Sequence, residues 1–259
     1  MTEKTEKDEL PSRARAGALV SELKIELHTN YAISLWEGRR AIFDDNNERV
    51  KFTIPSMPMF IAAAGRINDA SLADNPFADY VLYKLDLAIQ SAFIKMNSYV
   101  STLDRVLVAV PAGVHITDVV SREPLDIQVF SRTPFGYRCV YLLVGFDQYA
   151  KKVLQAYHFG FISRNSRDEY LSNGSRILRA IYAIVQGYRA GSITRQDVID
   201  NSDAYQKALS SYRLKELNPA ILDGSRRASF CAPLNDEIRA KMKAFQSQGG
   251  RDSHEVVSV

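Results

Sequence analysis

Two short segments of the chain alternate apolar and polar residues, a pattern that predicts a strand with one buried face. In residues 22–28 the apolar positions are Leu23, Ile25 and Leu27. In residues 124–132 one face carries Leu125, Ile127 and Val129, and the opposite face carries Asp126, Gln128, Phe130 and Arg132. A third strand is predicted over residues 105–110, with residues 114–120 returning as its hairpin partner.

Other stretches repeat apolar residues at spacings of three and four, which predicts helices. Thr29 or Asn30 is a typical N-cap for a short helix that ends at Gly38. Further helices are predicted over residues 57–66, 75–104 and 194–216. Together with the strands, these helices indicate a mostly helical α+β fold.

The order strand, helix, turn and second helix over residues 124–189 matches a ribbon-helix-helix unit. In that fold two chains pair their strands, and the resulting ribbon lies in the major groove of DNA. Thr133 and Pro134 are typical of the start of the first helix, and Ser166 with Glu169 forms a capping box for the second. The sequence therefore predicts a ribbon-helix-helix DNA-binding core with extra helices and short strands. The alternative is that the same segment forms a strand and two helices of a larger α+β core.

The composition is that of a globular protein, with 46% hydrophobic and 24% charged residues. We expect residues 1–20 to form a flexible tail, residues 21–217 a single folded domain, and residues 218–259 a flexible basic tail. The net charge of +3 is unevenly distributed, because residues 122–190 carry ten basic and five acidic side chains. A basic folded segment is what an anionic partner such as DNA requires.

Sequence signatures of catalysis are missing, including the phosphate-binding loop, the nucleophile elbow and the zinc-protease helix. His28 has no nucleophile or second histidine near it in the sequence, and Cys139 and Cys231 lack zinc-ligand spacing. We therefore expect no enzymatic activity, no metal and no cofactor. No apolar run is long enough to span a bilayer and the N-terminus has no secretory signal, which favours the bacterial cytoplasm.

Eight residues are candidates for DNA contact. Gln128 and Arg132 lie on the polar face of their strand, and an amide or a guanidinium can read the edge of adenine or guanine. Arg164 and Arg167 flank the start of a helix, where backbone amides can hold a phosphate. The remaining candidates are Asn165 and Ser166 in that turn, Arg176 further along the helix, and Lys24 on residues 22–28, the second candidate ribbon. For Arg176, the more common role is a solvated helix face.

Three long blocks of the chain resemble a known family. These blocks are ELHTNYAISLWEGRR, DNPFADYVLYKLDLAI and FSRTPFGYRCVYLLVGFDQYAKKVLQAYHFGFISR. In this order they resemble the AcaB-like regulators of conjugative plasmids and integrative conjugative elements, over roughly residues 20–215. The resemblance implies a homodimeric ribbon-helix-helix activator of transfer genes, bound upstream of the master activator promoter. An activator also has RNA polymerase as a candidate partner.

A second function remains open at this point. The aromatic-rich helices could serve a structural or scaffolding protein of the conjugation or DNA-processing apparatus. Such a protein would bind random DNA as weakly as the promoter DNA of its own element, so a DNA-binding titration separates the two functions.

Overall fold

The computed structural model describes residues 21–51, 53–108, 113–189 and 191–252 of the chain. Its short strands are β1 (Leu23–Leu27), β2 (Ile42–Phe43), β3 (Arg49–Lys51) and β4 (Leu125–Val129). Its helices are α1 (Asn30–Glu37), α2 (Met57–Leu72), α3 (Pro76–Val108), α4 (Pro134–His158), α5 (Arg164–Gln186), α6 (Arg195–Ile199), α7 (Asp203–Tyr212), α8 (Pro219–Leu222) and α9 (Asp236–Asp252). The predicted mostly helical α+β fold is confirmed.

Strands β1 and β4 pair with each other, antiparallel and within one chain, although about a hundred residues separate them. Ile25 lies opposite Ile127 at the centre of this ribbon. The sequence predicted instead that one strand pairs with its copy in a second chain; β1 and β4 pair within the chain, so the predicted ribbon-helix-helix core is not confirmed. The reason is that β1 already supplies the backbone hydrogen bonds that a lone β4 would lack. The two apolar faces also combine into one layer over the helices.

Helix α4 lies at the centre of the fold, where it packs against α1, α2, α3, α5 and β1. Its side chains Leu143, Phe146 and Ala150 are fully buried. Helix α5 approaches α4 closely at Gly174, where an added Cβ would lie 2.7 Å from Phe146 Cε2. Since α4 contacts β1 and directly follows β4, it fixes the ribbon to the core.

The strand predicted at residues 105–110 is wrong over the described residues 105–108, which form the last turn of α3. Residues 109–112 lie outside the described residues, and residues 114–120 have no regular structure, so the hairpin is also wrong. The helix continues because Leu103 is buried and Leu107 packs against the core, at helical spacing. This periodic burial outweighs the strand preference of the nearby valines.

The N-cap of helix α5 lies three residues before Ser166, the N-cap predicted from the sequence. Its N-cap is Ser163, whose hydroxyl accepts a hydrogen bond from the Ser166 amide at 3.1 Å. The predicted capping box of Ser166 and Glu169 is therefore wrong. The same chemistry acts one turn earlier, because Ser163 is also a good N-cap residue.

The segment from residue 218 onward was predicted to be a flexible tail, and over its described residues that prediction is wrong. It forms α8 and α9, and its buried apolar side chains are Ile221, Leu222, Ala228, Leu234 and Met242. Arg227 forms an ion pair with Asp79 at 2.6 Å, and the Ser229 hydroxyl donates to Asp86 at 2.7 Å. Arg227 and Ser229, polar residues of the predicted tail, thus bind carboxylates on α3.

Because Asp86 holds this segment, we expect the free energy of unfolding to decrease at acid pH. Burial raises the pKa of Asp86, but hydrogen bonds from Ser229, Gln90 and Arg138 outweigh it, so that the pKa lies below its ordinary value. A carboxyl group with a lowered pKa in the folded state stabilises the fold above its ordinary pKa, and this stabilisation is lost as the pH falls through the lowered pKa.

We therefore expect Asp86→Asn to be less stable than the wild type at neutral pH, and the difference to shrink below about pH 4. The measurement is urea unfolding of both proteins across the acid range. A difference that stays constant from neutral to strongly acid pH would contradict this linkage.

Candidate nucleic-acid interface

The β1–β4 ribbon presents one polar face to solvent. Lys24 lies directly opposite Gln128, and Glu26 lies directly opposite Asp126, and all four are exposed. Their neighbours Leu23, Ile25 and Leu27 on β1, and Leu125, Ile127 and Val129 on β4, pack against the hydrophobic core. The alternation predicted from the sequence is therefore confirmed on both strands, and Lys24 and Gln128, predicted on separate candidate ribbons, form one cross-strand pair.

The two ends of this polar face differ in charge. At one end the carboxylates of Glu26 and Asp126 face each other, an arrangement that repels a phosphate backbone. At the other end lie Lys24 and Gln128, and within the described residues the one ion pair of Lys24 is with the exposed Glu22, at 3.6 Å. Any contact with a polyanion is therefore favoured at the Lys24 end.

Arg132 extends the favourable end of the ribbon. Its side chain is 70% exposed and contacts Asp69 of α2 at 3.5 Å, an exposed pair of little strength. Arg66, on the same helix, is exposed and lines the same cleft as Arg132. Within the described part of the chain Arg66 has no ion pair or hydrogen bond from its side chain. Arg66 was not among the candidates predicted from the sequence, because nothing in the sequence places α2 beside β4.

The cleft between α2 and the end of β4, here called the α2–β4 cleft, has a volume of about 470 Å³. Its walls are formed by Trp36, Ile61, Gly65, Phe130, Arg66 and Arg132. Gln128 also lines it, so the α2–β4 cleft and the polar face of the ribbon share side chains.

The start of α5 forms a second basic surface. Arg164 and Asn165 are exposed, whereas the Ser166 amide is already bonded to the Ser163 hydroxyl. Arg167 lies 4.4 Å from the centre of the Tyr157 ring and donates two hydrogen bonds to one oxygen of its neighbour Asp168. The side chain best placed for a phosphate at this terminus is therefore that of Arg164.

Arg167 is held in place by its neighbours. The hydrogen bond to Asp168 raises the pKa of Arg167, and the nearby Tyr157 and Tyr31 act in the same direction. Helices α1 and α5 also pack against each other.

Arg176 lies on the exposed side of α5 and contacts Asn173 at 3.5 Å. It follows Arg164 by twelve residues, a distance of about 18 Å along a helix. Arg179 is likewise exposed and donates to the Ser175 hydroxyl and backbone carbonyl. The structure does not bring Arg176 together with the ribbon residues.

A buried carboxylate that the sequence analysis missed supports the ribbon. Asp147 of α4 is fully buried and accepts hydrogen bonds from the amides of His28 and Thr29, at 3.0 and 2.8 Å. The Thr29 hydroxyl donates to it at 2.7 Å and accepts from the Ala32 amide at 3.2 Å. Asp147 thereby fixes the junction of β1 and α1 on the central helix.

The described residues contain no group of three His, Cys, Asp or Glu side chains that could hold a metal ion. Within the same ranges, no helix combines the length and the apolar character that a bilayer crossing requires.

Comparison with known proteins finds one matching family model and a similar solved structure. The family model described as transcriptional regulator AcaB matches residues 15–235. A solved structure, the crystal structure of selenomethionine-containing AcaB from uropathogenic E. coli, is 12% identical in sequence, with a TM-score of 0.49. That match covers 86% of this chain and 96% of the other chain. The comparison with curated proteins finds no match.

Proposed function

Because the chain belongs to the AcaB family of transcriptional regulators, we propose that it is a sequence-specific DNA-binding activator of conjugative transfer genes. It would act in the cytoplasm, upstream of the promoter of the master activator genes. The observation that carries the proposal is the ribbon: two strands with a buried apolar face and an exposed polar face that bears Lys24 and Gln128. A two-stranded ribbon fits the width of the major groove.

The division of labour among the candidate residues follows from their chemistry. Gln128 offers an amide that can pair with adenine, and Arg132 a guanidinium that can pair with guanine. Lys24 supplies positive charge beside Gln128, and Arg164 contacts phosphate at the start of α5. Since the carboxylates of Glu26 and Asp126 repel phosphate, DNA lies toward the Lys24 end of the ribbon.

We also propose that the protein acts as a homodimer and contacts RNA polymerase. A single ribbon covers only a short site, and two copies on neighbouring half-sites would lengthen the sequence that is read. The need for a second chain to complete the ribbon no longer supports the dimer, because β1 and β4 complete it within one chain.

Two substitutions separate base reading from phosphate contact. Arg132→Ala is expected to weaken binding to promoter DNA by about 1–3 kcal/mol and to leave binding to random DNA nearly unchanged. Arg164→Ala is expected to weaken binding to both DNAs and to reduce the salt dependence by about one unit of slope. The measurement is fluorescence anisotropy with both DNAs over a range of salt concentrations.

The matched control is Lys207→Ala, which removes an exposed positive charge on α7, in a different hydrophobic cluster from the ribbon. It should bind both DNAs as the wild type does. Wild-type affinity of Arg132→Ala for promoter DNA would remove Arg132 from the interface.

The alternative function is a structural or scaffolding protein of the conjugation or DNA-processing apparatus. The facing carboxylates of Glu26 and Asp126 favour it, because half of the ribbon face repels DNA. Equally weak binding of the wild type to promoter DNA and random DNA would support the scaffold and contradict the activator.

A further inference from the structure

The α2–β4 cleft has the dimensions of a small-molecule site. Its volume of about 470 Å³ falls in the range of ligand pockets, which are mostly apolar with a few polar groups. Trp36, Ile61 and Phe130 supply apolar surface, and Phe130 is 79% exposed although it is a large aromatic residue. An exposed aromatic wall of this kind can cover the flat face of a bound ring.

The positive charge of the cleft favours an anionic ligand. Arg66 and Arg132 both line it, and within the described residues Arg66 has no partner for its guanidinium. Within the described residues, the one ion pair of Arg132 is with Asp69, at 3.5 Å, and the two side chains are 70% and 48% exposed. Two guanidinium groups beside apolar walls match a carboxylate, sulfonate or phosphate carried by an apolar body.

A glycine in the floor of the cleft, Gly65, also supports a ligand site there. A glycine inside a helix is less stable than alanine, and Gly65 lies in the middle of α2. A Cβ added at this position would meet nothing within 4 Å, in contrast to Gly174, where Phe146 requires the glycine. No neighbouring side chain therefore requires a glycine at position 65, and its absent side chain leaves the floor of the cleft open.

We propose that the α2–β4 cleft binds a small organic anion with a flat apolar body. The body lies against Trp36 and Phe130 above Gly65, and the acidic group pairs with Arg66 and Arg132. Because Gln128, Phe130 and Arg132 also belong to the ribbon end that faces DNA, the bound anion competes with DNA. This last step alone rests on the proposed function.

The experiment uses the full chain and the fluorescent probe anilinonaphthalene sulfonate, an aromatic anion of the proposed class. Trp36 is the chain's only tryptophan, so energy transfer from tryptophan to the probe reports binding near the cleft. We expect saturable binding with one probe per chain. Transfer that does not saturate would overturn the proposal, because it indicates general binding to apolar surface.

Gly65 variants test the floor of the cleft, and an Arg66 variant tests its positive charge. Gly65→Leu fills the cleft and should weaken probe binding by about tenfold or more, whereas Gly65→Ala should retain it within about twofold. Arg66→Gln should weaken it by about fivefold. The matched control Arg176→Gln, on the exposed side of α5, should bind as the wild type does. Wild-type binding by both Gly65→Leu and Arg66→Gln would overturn the proposal.

Thermal unfolding shows whether Gly65→Leu is folded. Should it fail to fold, the double variant Arg66→Gln with Arg132→Gln decides the matter, because both side chains are exposed and their loss leaves the core intact. That double variant should lose the saturable energy transfer, and unchanged transfer would overturn the site.

A second measurement tests competition with DNA. Saturating probe should weaken binding to promoter DNA by about threefold or more, and Gly65→Leu should be insensitive to the probe. Probe binding without any change in DNA affinity would overturn the competition. Failure of the unliganded wild type to distinguish promoter DNA from random DNA would instead contradict the proposed function, and the binding result at the cleft would stand on its own.

Discussion

Asp79→Ala is expected to lower the free energy of unfolding by about 3–5 kcal/mol, among the largest effects of any single substitution in this chain. Asp79 is buried near the start of α3 and accepts hydrogen bonds from Arg195 and Arg227, at 2.5 and 2.6 Å. The Ser71 hydroxyl donates to its other oxygen at 2.5 Å. Removal of this carboxylate leaves two guanidinium groups buried with less compensating charge.

Arg195 explains why the loss is large. Its side chain is 1% exposed, and besides Asp79 it contacts Asp74 and the backbone carbonyls of Ile221 and Leu222. It therefore joins α3, α6 and α8 at one buried point. The measurement is urea unfolding of the full chain, with Asp168→Ala as the control, because the Asp168 side chain is 54% exposed and its removal should change stability little. Similar small losses for both variants would show that the cluster contributes little.

Asp147→Ala is expected to cost about 3 kcal/mol or more and to weaken specific DNA binding at the same time. Its carboxylate is the acceptor for two backbone amides and one hydroxyl, and hydrogen bonds to a charged group are stronger than neutral ones. Without it, the amides of His28 and Thr29 lose their acceptor where β1 meets α1. The free energy of unfolding and the affinity for promoter DNA are measured on the same preparations.

The control for this prediction is Asp126→Ala, which removes an exposed carboxylate from the ribbon itself and should change stability by no more than about 0.5 kcal/mol. Asp147→Asn should lie between the wild type and Asp147→Ala, since an amide retains one acceptor oxygen. Wild-type stability of Asp147→Ala would mean that α4 does not hold the ribbon through this residue.

Local features of the fold could be predicted from the sequence, because they depend on neighbours along the chain. The alternation in β1 and β4 predicts their buried faces, and the Thr29 cap and Gly38 end of α1 are confirmed. The predicted family is confirmed too, because long unusual blocks identify relatives more reliably than short motifs.

Partners far apart in the chain could not be predicted. Alternation shows which face of a strand is buried but not which strand lies beside it, so the pairing of β1 with β4 was missed. The same holds for Arg66, which helix packing alone places beside Arg132. The sequence did give one indication of the role of Asp147. It is a charged residue among the apolar positions of a predicted helix, and a buried charge requires a partner.

The ribbon's origin in two different segments has a consequence for the sequence it can recognise. When two identical strands meet across a two-fold axis, every outward side chain faces its own copy, and the bound DNA reads the same on both strands. Here Lys24 faces Gln128 and Glu26 faces Asp126, so the face has a distinct head and tail. If the ribbon reads DNA as proposed, a site read by one copy is directional, and inverting that site at a promoter would change which way the bound protein points.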